Sequence, residues 1–199
     1  MAEWGIAPDD RLLLAPGQSF KYAPADDALW IAIARRCAPC KLVFFRANDQ
    51  HAARLERRLR AAFGEAGVDF DANVRMVPWQ QQAAYFALLQ RADVFLDTIG
   101  FSGFNTAMQA VECGTPIVAW EGRFMRGRFA SGILRSLGLG EWVASSHADY
   151  ADKVARLCAD ADLRKAVRAK IEAQRGQVLE QKASVDALAK VMLEMASRA

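Results

Sequence analysis

Apolar residues recur along this chain in two alternating rhythms. Short apolar runs, RLLLA (11–15), KLVFF (41–45), NVRMV (73–77), DVFLD (93–97) and PIVAW (116–120), read as strands. Longer segments with apolar residues at helical spacing lie between them, at 25–37, 49–66, 80–91 and 105–113. Four more follow the last run, at 127–137, 147–159, 161–175 and 183–197. Consecutive parallel strands require crossovers, and strand–helix alternation at this spacing supplies them. The expected fold is α/β: a doubly wound, mostly parallel sheet with helices on both faces.

Such a sheet binds ligands outside the carboxyl ends of its strands, in the loops that lead into the next helices. Those loops are PGQSFKYAP, RAND, PWQQQ, TIGFSGFN and EGRFMRGR, and four of the five carry Gly, Lys, Arg, Trp or amide residues. The fourth is the most distinctive. An apolar strand empties into a turn with Gly100, Ser102 and Gly103, and a helix resumes near Asn105. Unpaired N–H groups and the positive dipole end at that helix start suit an anion such as a phosphate. A plainer reading is that Ser102 or Asn105 caps the helix while Gly103 takes a left-handed turn. Lys21, in the first carboxyl-end loop, favours the anion, since strand adjacency can aim its ammonium at the same point. Together these features predict a diphosphate.

Composition narrows the field. At 199 residues and 53% hydrophobic, the chain can bury one sizeable core. A net charge of +3, with both signs interleaved, does not argue for nucleic acid. The longest apolar runs are far short of a membrane span and MAEWGIAPDD lacks a signal-peptide layout, so a cytoplasmic protein is expected. Cys37 and Cys40 form CAPC, but the pair closes a helix, where the dipole has the wrong sign for a thiolate, and a structural role is expected. Cys113, Cys158, His51 and His147 are not spaced as metal partners.

The pattern Gln18, Lys21, Pro24, followed by ADVFLDT, SGFNTAMQAVECGTPIV and EGRFMRGR, resembles the carboxyl-terminal half of the O-linked N-acetylglucosamine transferases and their SPINDLY-like bacterial relatives. The likeness runs from about residue 11 to 176 and is most specific between Ala92 and Arg128. Those proteins are GT-B glycosyltransferases with two Rossmann-like halves, the second of which binds the uridine diphosphate (UDP) of the donor.

The resemblance implies pyrophosphate contacts from Gln18 and Lys21, and phosphate held at the helix start by Asn105 and Thr106, with Gly103 leaving room. Gln109 falls where the family usually carries a carboxylate on the ribose hydroxyls, and Phe104 where better-known members carry His. An amide can still bond a diol, without charge assistance. The base would lie against Pro78 and Trp79, although Trp79 reads equally as a core or surface tryptophan. Among Arg123, Arg126 and Arg128, the last has an arginine counterpart and is the phosphate candidate; a solvated loop or a carboxylate partner is the plainer reading for the cluster.

Residues 1–176 are thus expected to form a nucleotide-sugar-binding domain, and 177–199 a carboxyl-terminal helix. Val185, Leu188, Met192 and Met195 form its apolar stripe, by default core; in GT-B enzymes the final helix crosses toward the amino-terminal half. By resemblance, that half holds the acceptor site, any tetratricopeptide repeats and part of the catalytic constellation. The chain looks like an excised donor domain, with a protein Ser/Thr or other hydroxyl acceptor and no catalytic residue of its own. No Asp-x-Asp pair lies near the turn, so neither a metal nor another cofactor is expected. A GT-B-fold sugar-nucleotide epimerase and a noncatalytic α/β module with a decayed donor site remain as alternatives.

Overall fold

The computed structural model describes residues 1–46 and 49–197. Of the RAND loop, Ala47 and Asn48 lie outside the described residues. Among the described residues, six strands form one sheet: β1 (Arg11–Ala15), β2 (Cys40–Arg46), β3 (Val74–Pro78), β4 (Val94–Leu96), β5 (Ile117–Trp120) and β6 (Val143–Ala144). Their spatial order is β3-β2-β1-β4-β5-β6 and every pairing is parallel. Strand order therefore reverses between β1 and β4, and the crevice of a doubly wound sheet opens there.

Helices cover both faces, which is why the central strands are apolar without alternation. The residues Leu12–Ala15, Leu42–Phe45 and Val94–Leu96 are all buried. The principal helices are α1 (Asp27–Cys37), α2 (Asp49–Glu65), α4 (Gln82–Arg91), α5 (Phe104–Glu112), α6 (Phe129–Ser136), α7 (His147–Ala159), α8 (Ala161–Gln174) and α10 (Lys182–Ala196); single-turn α3 (Phe70–Asn73) and α9 (Gly176–Leu179) complete the set. Tyr22, Trp30 and Phe44 meet edge to face under α1, with centroids 5.1 to 5.5 Å apart, and anchor the core beneath the first loop.

α5 ends as its GTP sequence requires. Gly114 adopts φ 66° and donates to the Val111 carbonyl, while Thr115 N–H reaches back to Ala110, a Schellman closure. The Thr115 hydroxyl then bonds the Leu89 carbonyl and ties that end of α5 to α4.

One expectation is overturned by α10. Its stripe is not core: Val185, Leu188, Met192 and Met195 are each more than 60% exposed, and α10 has no buried residue. Helical spacing marks an apolar face but cannot say that anything covers it.

Candidate functional site: the carboxyl edge of the sheet

The first loop is fixed at both ends. The Tyr22 hydroxyl donates to the Ala15 carbonyl at 2.6 Å and accepts from Gly17 N–H at 2.8 Å, and the Ser19 hydroxyl donates to Phe45 O on β2. Gly17 is tight against the fourth loop: a Cβ there would lie 2.6 Å from Thr98 Oγ1. Between these anchors, Gln18 precedes a 3-10 turn, Ser19–Lys21, that ends on Lys21. Lys21 is half-buried, and its Nζ lies 4.1 Å from the centroid of the Phe101 ring, so the first and fourth loops meet through that pair. Burial pulls the Lys21 pKa down, opposed by the charge of Asp97.

Asp97, at the end of β4, is buried. Its Oδ1 accepts from Gly103 N–H at 3.0 Å, while Oδ2 has no hydrogen-bond partner among the described residues. Desolvation pushes this carboxyl up to about 6, against the opposing pull of Gly103 N–H, Ser102, Thr98 N–H and the Lys21 charge. The Tyr150 hydroxyl from α7 braces the main chain beneath, 3.0 Å from the carbonyls of both Asp97 and Val118.

The turn itself differs from the capping reading. Gly103 is the N-cap of α5 at φ −90°, and no side chain caps the helix among the described residues; the left-handed glycine is Gly100, at φ 75°. Ser102 does not cap α5; its Oγ accepts from Ala130 N–H on α6. Glycine at 103 leaves space for Thr106: a Cβ would fall 2.2 Å from Thr106 Oγ1 and would push that hydroxyl aside. Phe104 packs edge-on against Phe129 of α6, centroids 5.6 Å apart, and Asn105 is exposed at the helix start.

Beside this turn lies a cavity of about 310 Å³ between β2, β3, α4 and α5, lined by Pro16, Phe45, Trp79, Gln80, Gln81, Gln82, Tyr85, Thr106 and Gln109. Trp79 is 59% exposed, a surface tryptophan whose ring packs edge-on to Phe45. The Pro78 carbonyl is occupied by Gln80 Nε2 at 2.7 Å. Thr106, Gln109 and Trp79 therefore share one cavity, while Lys21 and Gly103 are joined through Phe101 and Asp97 beside it. Arg128 stands apart, in a second depression after β5, where its Nε donates to Gly122 O and lies 3.7 Å from Glu121, which Arg135 also pairs.

Asp97, Phe101, Phe45 and Tyr85 belong to this edge but were not singled out in the sequence. A carboxylate closing an apolar strand before a glycine turn was the available signal for Asp97. The CAPC cysteines lie at the opposite edge, with Cys40 at the start of β2; both are buried and unbridged, and burial pushes the Cys40 thiol up to about 12. Among the described residues, no group of three His, Cys, Asp or Glu side chains is arranged to hold a metal ion. No helix described is long and apolar enough to cross a membrane.

A parallel 3-2-1-4-5-6 sheet with its crevice at β1 and β4 is a Rossmann-like half of the GT-B glycosyltransferase architecture. Residues 4–185 match glycosyl transferase family 41, and the chain belongs to that family. It is 29% identical over 165 residues to a UDP-N-acetylglucosamine–peptide N-acetylglucosaminyltransferase of Caenorhabditis elegans, covering 82% of this chain and 14% of that protein. A solved variant of the Thermobaculum terrenum O-GlcNAc transferase superposes with a TM-score of 0.78 at 26% identity, over 96% of this chain and 36% of that one. A UDP-GlcNAc 2-epimerase of Neisseria meningitidis, solved with UDP-GlcNAc, shares the fold at TM-score 0.60 and 14% identity, over 93% of this chain and 45% of its own. The chain thus spans less than half the length of each of these relatives.

Proposed function

We propose that this chain is the donor-binding half of a glycosyltransferase that moves a sugar, N-acetylglucosamine by analogy with its relatives, from a UDP-sugar to a Ser/Thr or other hydroxyl. One observation carries the reading. A lysine and an uncapped helix N-terminus converge at the β1–β4 crevice, beside an aromatic cavity of nucleobase size. In this reading the base enters the cavity against Trp79, the ribose meets Gln109, and the diphosphate meets Gln18, Lys21 and the first turn of α5 at Asn105 and Thr106.

Chemically, this half holds the leaving group. Negative charge grows on the diphosphate as the glycosidic bond breaks, and fixed donors aimed there stabilise the transition state more than the ground state. Lys21 supplies a full charge and α5 a partial one. The acceptor, and the group that takes its proton, would come from the other GT-B half, which would also cover the exposed stripe of α10. Residues 1–176 would then be the nucleotide-sugar-binding unit and 177–199 the segment that reaches across. Arg128 enters this site only if the Glu121 pair opens on ligand binding.

Calorimetric titration of the chain with UDP, against guanosine and adenosine diphosphates, tests the reading. Selective binding of UDP is the expected result, and no binding at millimolar ligand overturns a working donor site in this chain. The latter result would favour a noncatalytic module, the reading to which an amide at Gln109 lends weight.

A further inference from the structure

Lysine is a compact charge on a flexible stem, and ordering it at the moment of binding costs affinity. At the carboxyl edge that stem is already restrained. Ser19 and Tyr22 pin the backbone on either side of Lys21, and the ammonium rests 4.1 Å above the centre of the Phe101 ring. The ring is itself held. Phe20 meets it edge-on with centroids 6.2 Å apart, and the preceding residue, Gly100, takes the left-handed conformation that turns the chain back toward the first loop. Phe101 nonetheless keeps 38% of its surface exposed, so packing of the core does not account for its position.

We propose that Phe101 is a positioning residue for the donor site, its ring face holding the Lys21 ammonium at the β1–β4 crevice before an anionic ligand arrives. The inference rests on the reading that Lys21 meets a diphosphate. Phe101 itself does not touch the reacting atoms. It acts by cation–π attraction, which is stronger where the ammonium is partly desolvated, as it is here. A leucine would keep the apolar contact and lose the attraction, whereas a tyrosine would keep both.

The experiment titrates UDP and uridine into the wild-type chain, Phe101→Leu and Phe101→Tyr. Leucine is expected to weaken UDP roughly 3- to 10-fold and to leave uridine unchanged, with tyrosine restoring wild-type affinity. Wild-type affinity of the leucine variant for UDP overturns the inference and leaves the donor reading standing. If the wild type itself does not prefer UDP to uridine, the donor reading falls and takes this inference with it. A second arm needs no ligand. The Lys21 Hε resonances should be shifted upfield by the ring current in the wild type and in Phe101→Tyr, and should return to ordinary lysine values in Phe101→Leu. Ordinary values in the wild type overturn the inference whatever the titrations give.

Discussion

Two opposite charges meet at the crevice, and they do different work. Lys21 is a half-buried cation held against Phe101; Asp97 is a buried carboxyl that organises the turn from behind. Replacing Lys21 by Met should cost a charge-assisted contact of about 1.5–3 kcal/mol, weakening UDP about 10- to 150-fold while sparing uridine. Equal weakening of the two ligands would show that Lys21 shapes the loop and does not meet the phosphates. Asp97 makes its own prediction, in stability. Its carboxyl stands at about 6 in the fold because burial disfavours its charge, against ~3.9 in an unfolded chain. A raised value means that the group's stabilising contribution is complete below pH ~4 and is lost as pH rises through about 6. Asp97→Asn does not titrate, so its stability relative to wild type should improve by about 2–3 kcal/mol between pH 4 and 7.5, measured by urea unfolding. A difference that is flat with pH would mean that the carboxylate is better solvated than its burial implies. In DVFLD the final Asp reads equally as the polar end of a strand before a glycine turn; the Tyr150 hydroxyl that braces the main chain at Asp97 comes from α7, far along the sequence.

At the scale of elements, β1 and α7 fall where the sequence puts them and α5 lies within one residue at each end. SGFNTAMQAVECGTP predicts a helix with a glycine start and a glycine stop, and the two glycines serve different ends. Gly114 is needed for its dihedral, whereas Gly103 leaves room for the Thr106 hydroxyl. Gly103→Val should therefore displace Thr106 and lower UDP affinity at least 10-fold, while costing stability only to the extent that the Thr106 hydroxyl cannot rotate away; unchanged titration would remove Gly103 from the site. β6 escaped the sequence because two residues carry no periodicity, and α3 and α9 because one turn carries little more. The α10 stripe was legible as a pattern and misleading as a location. If nothing within this chain covers it, Leu188→Asp with Met192→Asp should shift the melting temperature by no more than about 2 °C. A drop of 5 °C or more would show that α10 packs on the sheet domain in solution.

For the molecule as a whole, strand–helix alternation was enough to give the parallel sheet, and the rule for such sheets gave the carboxyl edge as the place to look for a ligand. The aromatic cavity was harder to see, because Pro16, Phe45, Trp79 and Tyr85 come from four segments that only the sheet order unites. That order also bears on stability. β1 and β4 register over two residue pairs, Leu13 with Val94 and Leu14 with Phe95, whereas β1 and β2 register over five. A ligand in the crevice would contact both sides of this short seam, so its binding energy would be added directly against separation of the two halves of the sheet. At one hundred times its Kd, UDP should stabilise the fold by about 2.7 kcal/mol, which for a chain of this size raises the melting temperature by roughly 5–10 °C. Uridine at the same concentration should raise it less, because it fills the cavity without reaching Lys21, and Lys21→Met should bring the UDP shift down to the uridine value. Equal shifts from UDP and uridine in the wild type would confine binding to the aromatic cavity and leave the lysine and the α5 N-terminus without a ligand.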